Sequence, residues 1–435
     1  MTTTSDTRAA AGPGAGGPGR GPRAEAGTVD DRSERHRLAD PLCYDDPART
    51  DRPDGRLAAA DHNSPPPQVS WPKTPATDTE AWRPVLDLLA DGILAMATPD
   101  RTDRLFPGDV ERFGPGHGGL GLSYGAAGVL YALHACGRPA PAEHVDWLVA
   151  RADAAPDLPP GLYDGLTGIA WALARLGRRE AACALIERVI AAEPPADPGL
   201  GSGRAGIALG LLDLADAVGR RGLAAWALAL GHELARDEHA PRLRGLLDGW
   251  SGQAALFLRL HGHTGDPGWL TAAEAALGRE LDGADLSDGV LFLVEDRYRR
   301  KLPYLAAGGV GTAGLIAELA LRTGPDRLPA RFAEALAAAE LSCRPDPVAA
   351  AGLFEGRAGL LLHLLRTGHP AAADRHLRLL ERQVMNHRGD LAFPGRRSMR
   401  LSADLATGAA GILTTLHEAV LGPVPLPGLT DFPRP

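Results

Sequence analysis

The chain has 435 residues, of which 44% are hydrophobic, and a formal net charge of -8 with a pI near 6.0. That is enough apolar material for a large core, and the acidic balance excludes a basic nucleic-acid surface. Only Lys73 and Lys301 are lysines, which argues against Schiff-base chemistry, and Cys43, Cys136, Cys183 and Cys343 form no Cys-x-x-Cys pair, which argues against a disulfide framework or a zinc ribbon.

Residues 1–78 begin with no basic-then-apolar signal sequence, and their Ala/Gly/Pro/Arg/Asp composition offers little to bury. They are expected to be a disordered N-terminal segment ending in a Pro-rich linker, "HNSPPPQVSWPKTP" at 62–75. The ordered domain is expected over 79–435, opening with the amphipathic helix "AWRPVLDLLADGILAMA". No run of about 18 apolar residues could span a bilayer, so a cytoplasmic protein is expected.

Beyond residue 120 one feature recurs: a Gly-x-x-Gly unit running into an apolar helical pattern. The first glycines are read at 125, 165, 203, 249, 311, 356 and 408, with spacings of 38 to 62 residues. This is a repeat architecture. Between the units lie more charged amphipathic patterns, such as "RREAACALIERVIAAE" (178–193) and "RFAEALAAAELSC" (331–343). Each repeat therefore pairs one buried and one outer helix. The fold class expected is all-α, an α/α toroid of about seven helix pairs with Gly-x-x-Gly turns at the inner-helix N-termini. Closure is preferred to an open solenoid because neither end carries a polar capping repeat. Short β-hairpin insertions are expected at 288–305 and 389–404, near one mouth of the ring.

Paired glycines allow a tight turn and close backbone approach. In a ring they would also gather seven helix N-termini, whose unpaired N–H groups favour an anion. The residues ahead of the first glycines would converge there: Tyr124, Asp164, Ser202, Asp248, Val310, Glu355 and Thr407. Asp, Ser and Thr at such positions are also ordinary helix caps, worth about 1 kcal/mol each. Glu caps poorly and Tyr not at all, so Glu355 and Tyr124 stand out. Arg204 and Arg357 follow their glycines as counter-ions to those carboxylates or as substrate contacts. Tyr163 and Trp250 complete the candidate substrate surface. His134, His363 and His417 lie well down their helices and read as structural.

The seven units resemble the lanthionine synthetase C-like proteins, over about residues 80–421. "TPDRTDRLFPGD" (98–109), "SYGAAGVLYALHACG" (123–137), "LLDGWSGQAALFLRL" (246–260), "LPYLAAG" (302–308) and "RLSADLATGAAGIL" (400–413) are most similar to the cyclase portion of class III lanthipeptide synthetases. The resemblance implies an α/α toroid. It also implies addition of a precursor-peptide cysteine thiol to dehydroalanine or dehydrobutyrine, giving a lanthionine- or labionin-type thioether ring. Members with metal bind zinc through a Cys in the fourth repeat and a Cys-His pair before the sixth glycine unit. Those positions hold Leu247, Phe354 and Glu355 here, so no metal and no cofactor is expected. The family's catalytic His falls at Ser202 and its catalytic Asp at Asp164, the latter with a different local spacing.

Without zinc, a base must take the thiol proton and a positive field must hold the enolate. Asp164 or Glu355 is the expected base, Asp248 or Tyr124 the expected proton donor, and Arg204, Arg357 and the helix N-termini the expected field. The chain has no phosphate-binding Gly-rich strand pattern, so dehydration is expected from separate kinase and lyase proteins. Two other readings stay open: a non-catalytic ring that holds peptide or docks the dehydrating enzymes, and an α/α-toroid glycosidase using two of Asp164, Asp248 and Glu355.

Overall fold

A computed structural model of the chain describes residues 70–109, 118–237, 239–241, 243–286, 289–295, 300–344 and 348–429. All belong to one compact unit, residues 52–435. The disorder expected for the N-terminal segment falls, for residues 1–69, outside the described residues.

Fourteen α-helices are present among them. Seven are inner helices: α2 (Ala126–Ala135), α4 (Leu166–Arg175), α6 (Arg204–Ala217), α8 (Trp250–Thr264), α10 (Gly309–Thr323), α12 (Arg357–Arg366) and α14 (Ala409–Val420). They are buried nearly all round; in α6 every residue from Ala205 to Leu212 is buried. The outer helices are α1 (Thr79–Ala95), α3 (Ala142–Asp153), α5 (Arg179–Ala191), α7 (Gly222–Arg236), α9 (Gly268–Leu281), α11 (Ala330–Ser342) and α13 (Pro370–Leu380). These bury one stripe each, as Ala373, His376, Leu377 and Leu380 do on α13.

Each inner helix packs on the next, and α14 packs back on α2, so the ring closes. The first outer helix, α1, covers the last inner one, α14. The stretch 70–78, read from sequence as linker, packs on this outer wall. Trp71 is buried, donates from its indole to the Leu377 carbonyl at 3.2 Å, and meets Trp82 edge-on at 5.3 Å. Asp78 then caps α1 at the Ala81 amide.

The repeat motif is longer than two glycines. A leucine stands three residues before the N-cap glycine in every repeat: Leu122, Leu162, Leu200, Leu246, Leu305, Leu353 and Leu405. Its carbonyl lies over the second glycine of its own repeat, where a Cβ would come within 1.7–2.6 Å of it. Its Cβ packs on the second glycine of the next repeat, and Leu405 completes the belt against Gly128. This register corrects the fifth repeat. Its N-cap is Gly308 and its second glycine Gly311, so Ala307, not Val310, precedes the turn.

One residue after each leucine, a closed strap of backbone hydrogen bonds runs round the ring. The amides of Ser123, Tyr163, Gly201, Leu247, Ala306, Phe354 and Ala406 each donate to the corresponding carbonyl of the next repeat, the last returning to Ser123, at 2.7–3.1 Å. Ten residues beyond the N-cap glycines, charged side chains tie the other ends of the inner helices. Asp213 accepts from Trp171 at 3.2 Å and from Arg259 at 2.9 Å, and Arg366 binds Glu418 through two 2.8 Å hydrogen bonds.

The insertions form small antiparallel sheets. β1 (Ala284–Asp285), β2 (Phe292–Glu295) and β3 (Arg300–Leu302) pair in that order, and β4 (Met385–His387) pairs with β5 (Asp390–Ala392). No helix of the described residues is long and apolar enough to cross a membrane.

Candidate functional site

The strap fixes where the pre-glycine residues go. Each follows a strap residue directly, so Tyr124, Asp164, Ser202, Asp248, Ala307, Glu355 and Thr407 stand side by side round one mouth. Thr407 is buried and the other six are half-buried. Four of these seven positions, at Tyr124, Asp164, Asp248 and Glu355, carry the candidate acid–base groups.

The residue four places before each N-cap glycine lies beside the next repeat's pre-glycine residue. It is glycine in five repeats: a Cβ on Gly121, Gly161, Gly199, Gly245 or Gly352 would fall 2.6–3.3 Å from the Cα of Asp164, Ser202, Asp248, Ala307 or Thr407. Two repeats place a polar side chain there instead, Tyr304 and Asp404.

Tyr304 neighbours Glu355. Burial, and secondly the Glu355 charge, push its phenol up, with Arg396 acting in the opposite sense. The phenol therefore stays protonated at neutral pH and can donate. Arg396 arrives from the segment between β5 and α14 and pairs with Glu355 at 2.6 Å, the side chains being 32% and 24% exposed. A carboxylate, a guanidinium and a protonated phenol thus meet at a surface a ligand can reach. Sequence reading missed Tyr304 and Arg396; the tyrosine among glycines at its repeat position was the available signal.

Asp404 turns inward. It accepts from the Thr407 and Gly408 amides, the Thr407 and Ser402 hydroxyls and the Asp109 amide, at 2.7–3.1 Å. Burial still outweighs these bonds and raises its pKa. Asp109 in turn accepts from the Arg396 amide at 2.9 Å, so the 98–109 segment holds the arginine-bearing loop over the mouth. Asp404 thus braces the turn into α14, and neither it nor Thr407 caps the helix by a side chain: the Ala409 and Ala410 amides donate to the Ser402 and Ala403 carbonyls.

The helix N-termini are less available to an anion than their number suggests. In five repeats the first helical amide donates to the carbonyl seven residues back, as Ala126 does to Gly119 and Arg357 to Ala350 at 2.9 Å each. In the fourth repeat the buried Glu280 of α9 reaches in, accepting from the Ser251 amide at 2.8 Å and the Gly245 amide at 3.2 Å.

The other candidates are engaged by partners within the fold. Arg204 pairs with Asp237 at 2.5 Å; the His239 amide and this guanidinium hold that carboxyl at about 2. Arg357 is buried against Gln383 and His376 at 3.4 Å each. Trp250 is buried beneath Arg279, whose guanidinium lies 4.7 Å from the ring centre. Tyr163 is buried and donates to the Pro427 carbonyl at 2.8 Å, with its ring 5.2 Å from that of Phe354. Tyr163, Trp250 and Phe354 are therefore no platforms for a sugar. At the positions that the family resemblance assigns to zinc ligands, Leu247 and Phe354 present hydrocarbon and Glu355 is bound to Arg396, a set that does not fit a zinc ion.

No family model matches the chain. It is 39% identical over 376 residues to a probable SapB synthase of Streptomyces coelicolor, an alignment covering 81% of this chain and 39% of that protein. The chain thus spans well under half the length of this relative. Among solved structures it is similar to nisin cyclase, with a TM-score of 0.54 at 15% identity, covering 81% of this chain and 96% of that one. That likeness speaks for the fold alone. The seven glycine-entered inner helices, the closed ring and the sequence relationship together lead to one conclusion: the chain belongs to the lanthionine synthetase C-like family.

Proposed function

We propose that the chain is a lanthipeptide cyclase that works without zinc. It joins cysteine thiols of a precursor peptide to dehydroalanine or dehydrobutyrine residues of the same peptide. The observation that carries this reading is the Glu355–Arg396 pair beside Tyr304 at the mouth of the ring, at the position the family resemblance assigns to a zinc ligand.

A thiol with a pKa of about 8.5 is mostly protonated at pH 7 and must lose its proton to react. Glu355 or Asp164 accepts that proton. The sulfur electron pair forms a C–S bond to the β-carbon, and the alkene electrons move onto the neighbouring carbonyl as an enolate. Arg396, with donors already directed at the mouth, stabilises that oxygen. The α-carbon takes a proton from Asp248, Tyr124 or Tyr304, and the proton taken up by the base returns to that donor, directly or through solvent, so both groups are restored. Atoms balance: the product is an isomer of the substrate. Ser202 shapes the mouth between Asp164 and Asp248. Dehydration is a separate reaction, supplied by kinase and lyase partners.

Because cyclisation leaves mass unchanged, the assay counts free thiols by alkylation of a pre-dehydrated peptide. Wild-type chain should consume thiols at an unchanged rate with and without a zinc chelator. Glu355→Gln and Asp164→Asn should slow consumption, the true base by about 100-fold or more. Arg396→Leu should lower kcat by a similar factor. Wild-type rates and ring pattern in both carboxylate variants would refute the site. Peptide binding with no thiol loss by wild-type chain would favour a scaffold instead.

A further inference from the structure

The mouth is one end of the ring; its interior holds something else. After α14 the chain turns at Gly422, φ 135°, and runs as Pro423-Val424-Pro425-Leu426-Pro427-Gly428-Leu429. Val424, Leu426 and Leu429 are buried. Alternate prolines lack amides, so this segment cannot join a sheet and is stiff and extended. Its carbonyls are used one by one: Pro425 accepts from the Tyr131 hydroxyl and Pro427 from the Tyr163 hydroxyl at 2.8 Å. The Val424 amide donates to Glu418 at 3.4 Å. Gly428, at φ 76°, sits where a Cβ would lie 2.7 Å from a Leu200 methyl, at the level of the leucine belt. It also lines two cavities, one beside Leu305 and Leu362, the other beside Leu209 and Ala255. The segment therefore doubles back from the far end of α14 along the ring axis toward the mouth.

Tyr163 and Phe354 are both strap residues, from the second and sixth repeats, and their rings meet inside the ring. The Phe354 peptide leads directly into Glu355. We infer that residues 422–429 are an internal positioning segment: by holding the Tyr163 hydroxyl they seat its ring against Phe354, and so fix the floor on which Glu355 and its Arg396 partner stand. This rests on the cyclase reading for its effect on rate, and on the Pro427–Tyr163–Phe354 contacts alone for its effect on Phe354.

The test compares the full chain, a chain cut after Leu421, Gly428→Val and Tyr163→Phe, each first checked for helical circular dichroism. A synthetic peptide of residues 422–429 is the probe. By calorimetry it should bind the cut chain and not the full one. The cut chain should lose about tenfold or more in kcat, with KM for dehydrated peptide little changed, because a displaced floor misorients rather than unbinds substrate. Added peptide should restore the rate. Gly428→Val, strained at positive φ and crowding Leu200, and Tyr163→Phe, which removes the donor, should show smaller losses of the same kind. A folded cut chain, or both point variants, with unchanged kcat would overturn the inference, as would peptide binding that restores nothing. Should wild-type chain form no thioether, the functional reading fails by itself. Amide exchange then decides: faster exchange at Phe354 and Glu355 in the cut chain and Tyr163→Phe supports the segment's role, and equal exchange overturns it.

Discussion

His363 is buried on α12 and lines the same interior cavity as Leu246, Leu305 and Leu362. Burial above all, then the charges of His369 and Arg366, lower its pKa from 6.5 to about 4. The sign follows from linkage. The unfolded chain takes up this proton as pH falls below 6.5 and the folded chain only near 4, so stability is lost across that window. By pH 5 the loss is about 2 kcal/mol. Urea midpoints at pH 7 and pH 5 should therefore differ in wild-type chain by more than in His363→Leu; equal differences would show the ring is not held neutral. The histidine was readable as structural because it stands seven residues into its helix. Glu355 was readable as a candidate because glutamate makes a poor cap. Tyr304 and Arg396 were not, for different reasons. Tyr304 shows itself only when its repeat is set in register, and Arg396 is one arginine among many until the loop from β5 carries it to Glu355. Arg204 and Arg357 share the opposite fault: adjacency to a glycine in sequence puts them at the first helical position, whose side chains point to the outer helices, toward Asp237 and His376.

The element that repeats is a leucine, a two-residue strap and a glycine-entered helix, and its two glycines do different work. The first is an extended N-cap; the second admits the leucine carbonyl. At Gly168 a Cβ would fall 1.7 Å from the Leu162 carbonyl oxygen, which is backbone and cannot swing away. Gly168→Ala should cost about 3 kcal/mol or more, the upper range for overpacking. Gly222 opens α7 with nothing within 4 Å of its Cβ direction. Gly222→Ala should be neutral or stabilise by up to about 1 kcal/mol. Urea denaturation of both variants checks the contrast, and similar costs would mean the carbonyl contact does not govern the element. The same contact explains the misplaced fifth repeat. Gly308, Gly309, Gly311 and Gly314 contain two overlapping Gly-x-x-Gly units, and helical periodicity accommodates either. Leu305 decides between them, because only Gly308 as N-cap brings its carbonyl over Gly311, at 2.0 Å from a Cβ. Helix identity and number were legible from apolar patterning; this phase depended on a packing contact that patterning does not contain.

At the scale of the molecule the ring has no end. A solenoid frays from its terminal repeats, since these lack one neighbour. Here α14 meets α2, Leu405 packs on Gly128, and the Ala406 amide bonds to the Ser123 carbonyl at 2.9 Å, so the seventh repeat stabilises the first as any other pair does. The far ends are tied as well, through Asp213 between the second and fourth repeats and Arg366–Glu418 between the sixth and seventh. Opening one repeat would break two strap bonds and unseat two leucines, exposing apolar surface on both neighbours, so partial opening has little to favour it. The seven strap amides, of Ser123, Tyr163, Gly201, Leu247, Ala306, Phe354 and Ala406, should then exchange with solvent only by global unfolding. In native-state hydrogen exchange their opening free energies should agree within about 1 kcal/mol and share the denaturant slope of complete unfolding. Amides of one repeat exchanging through a shallow, low-energy opening while the others stay protected would mean the ring opens there, and that the mouth is assembled by a hinge rather than held by closure.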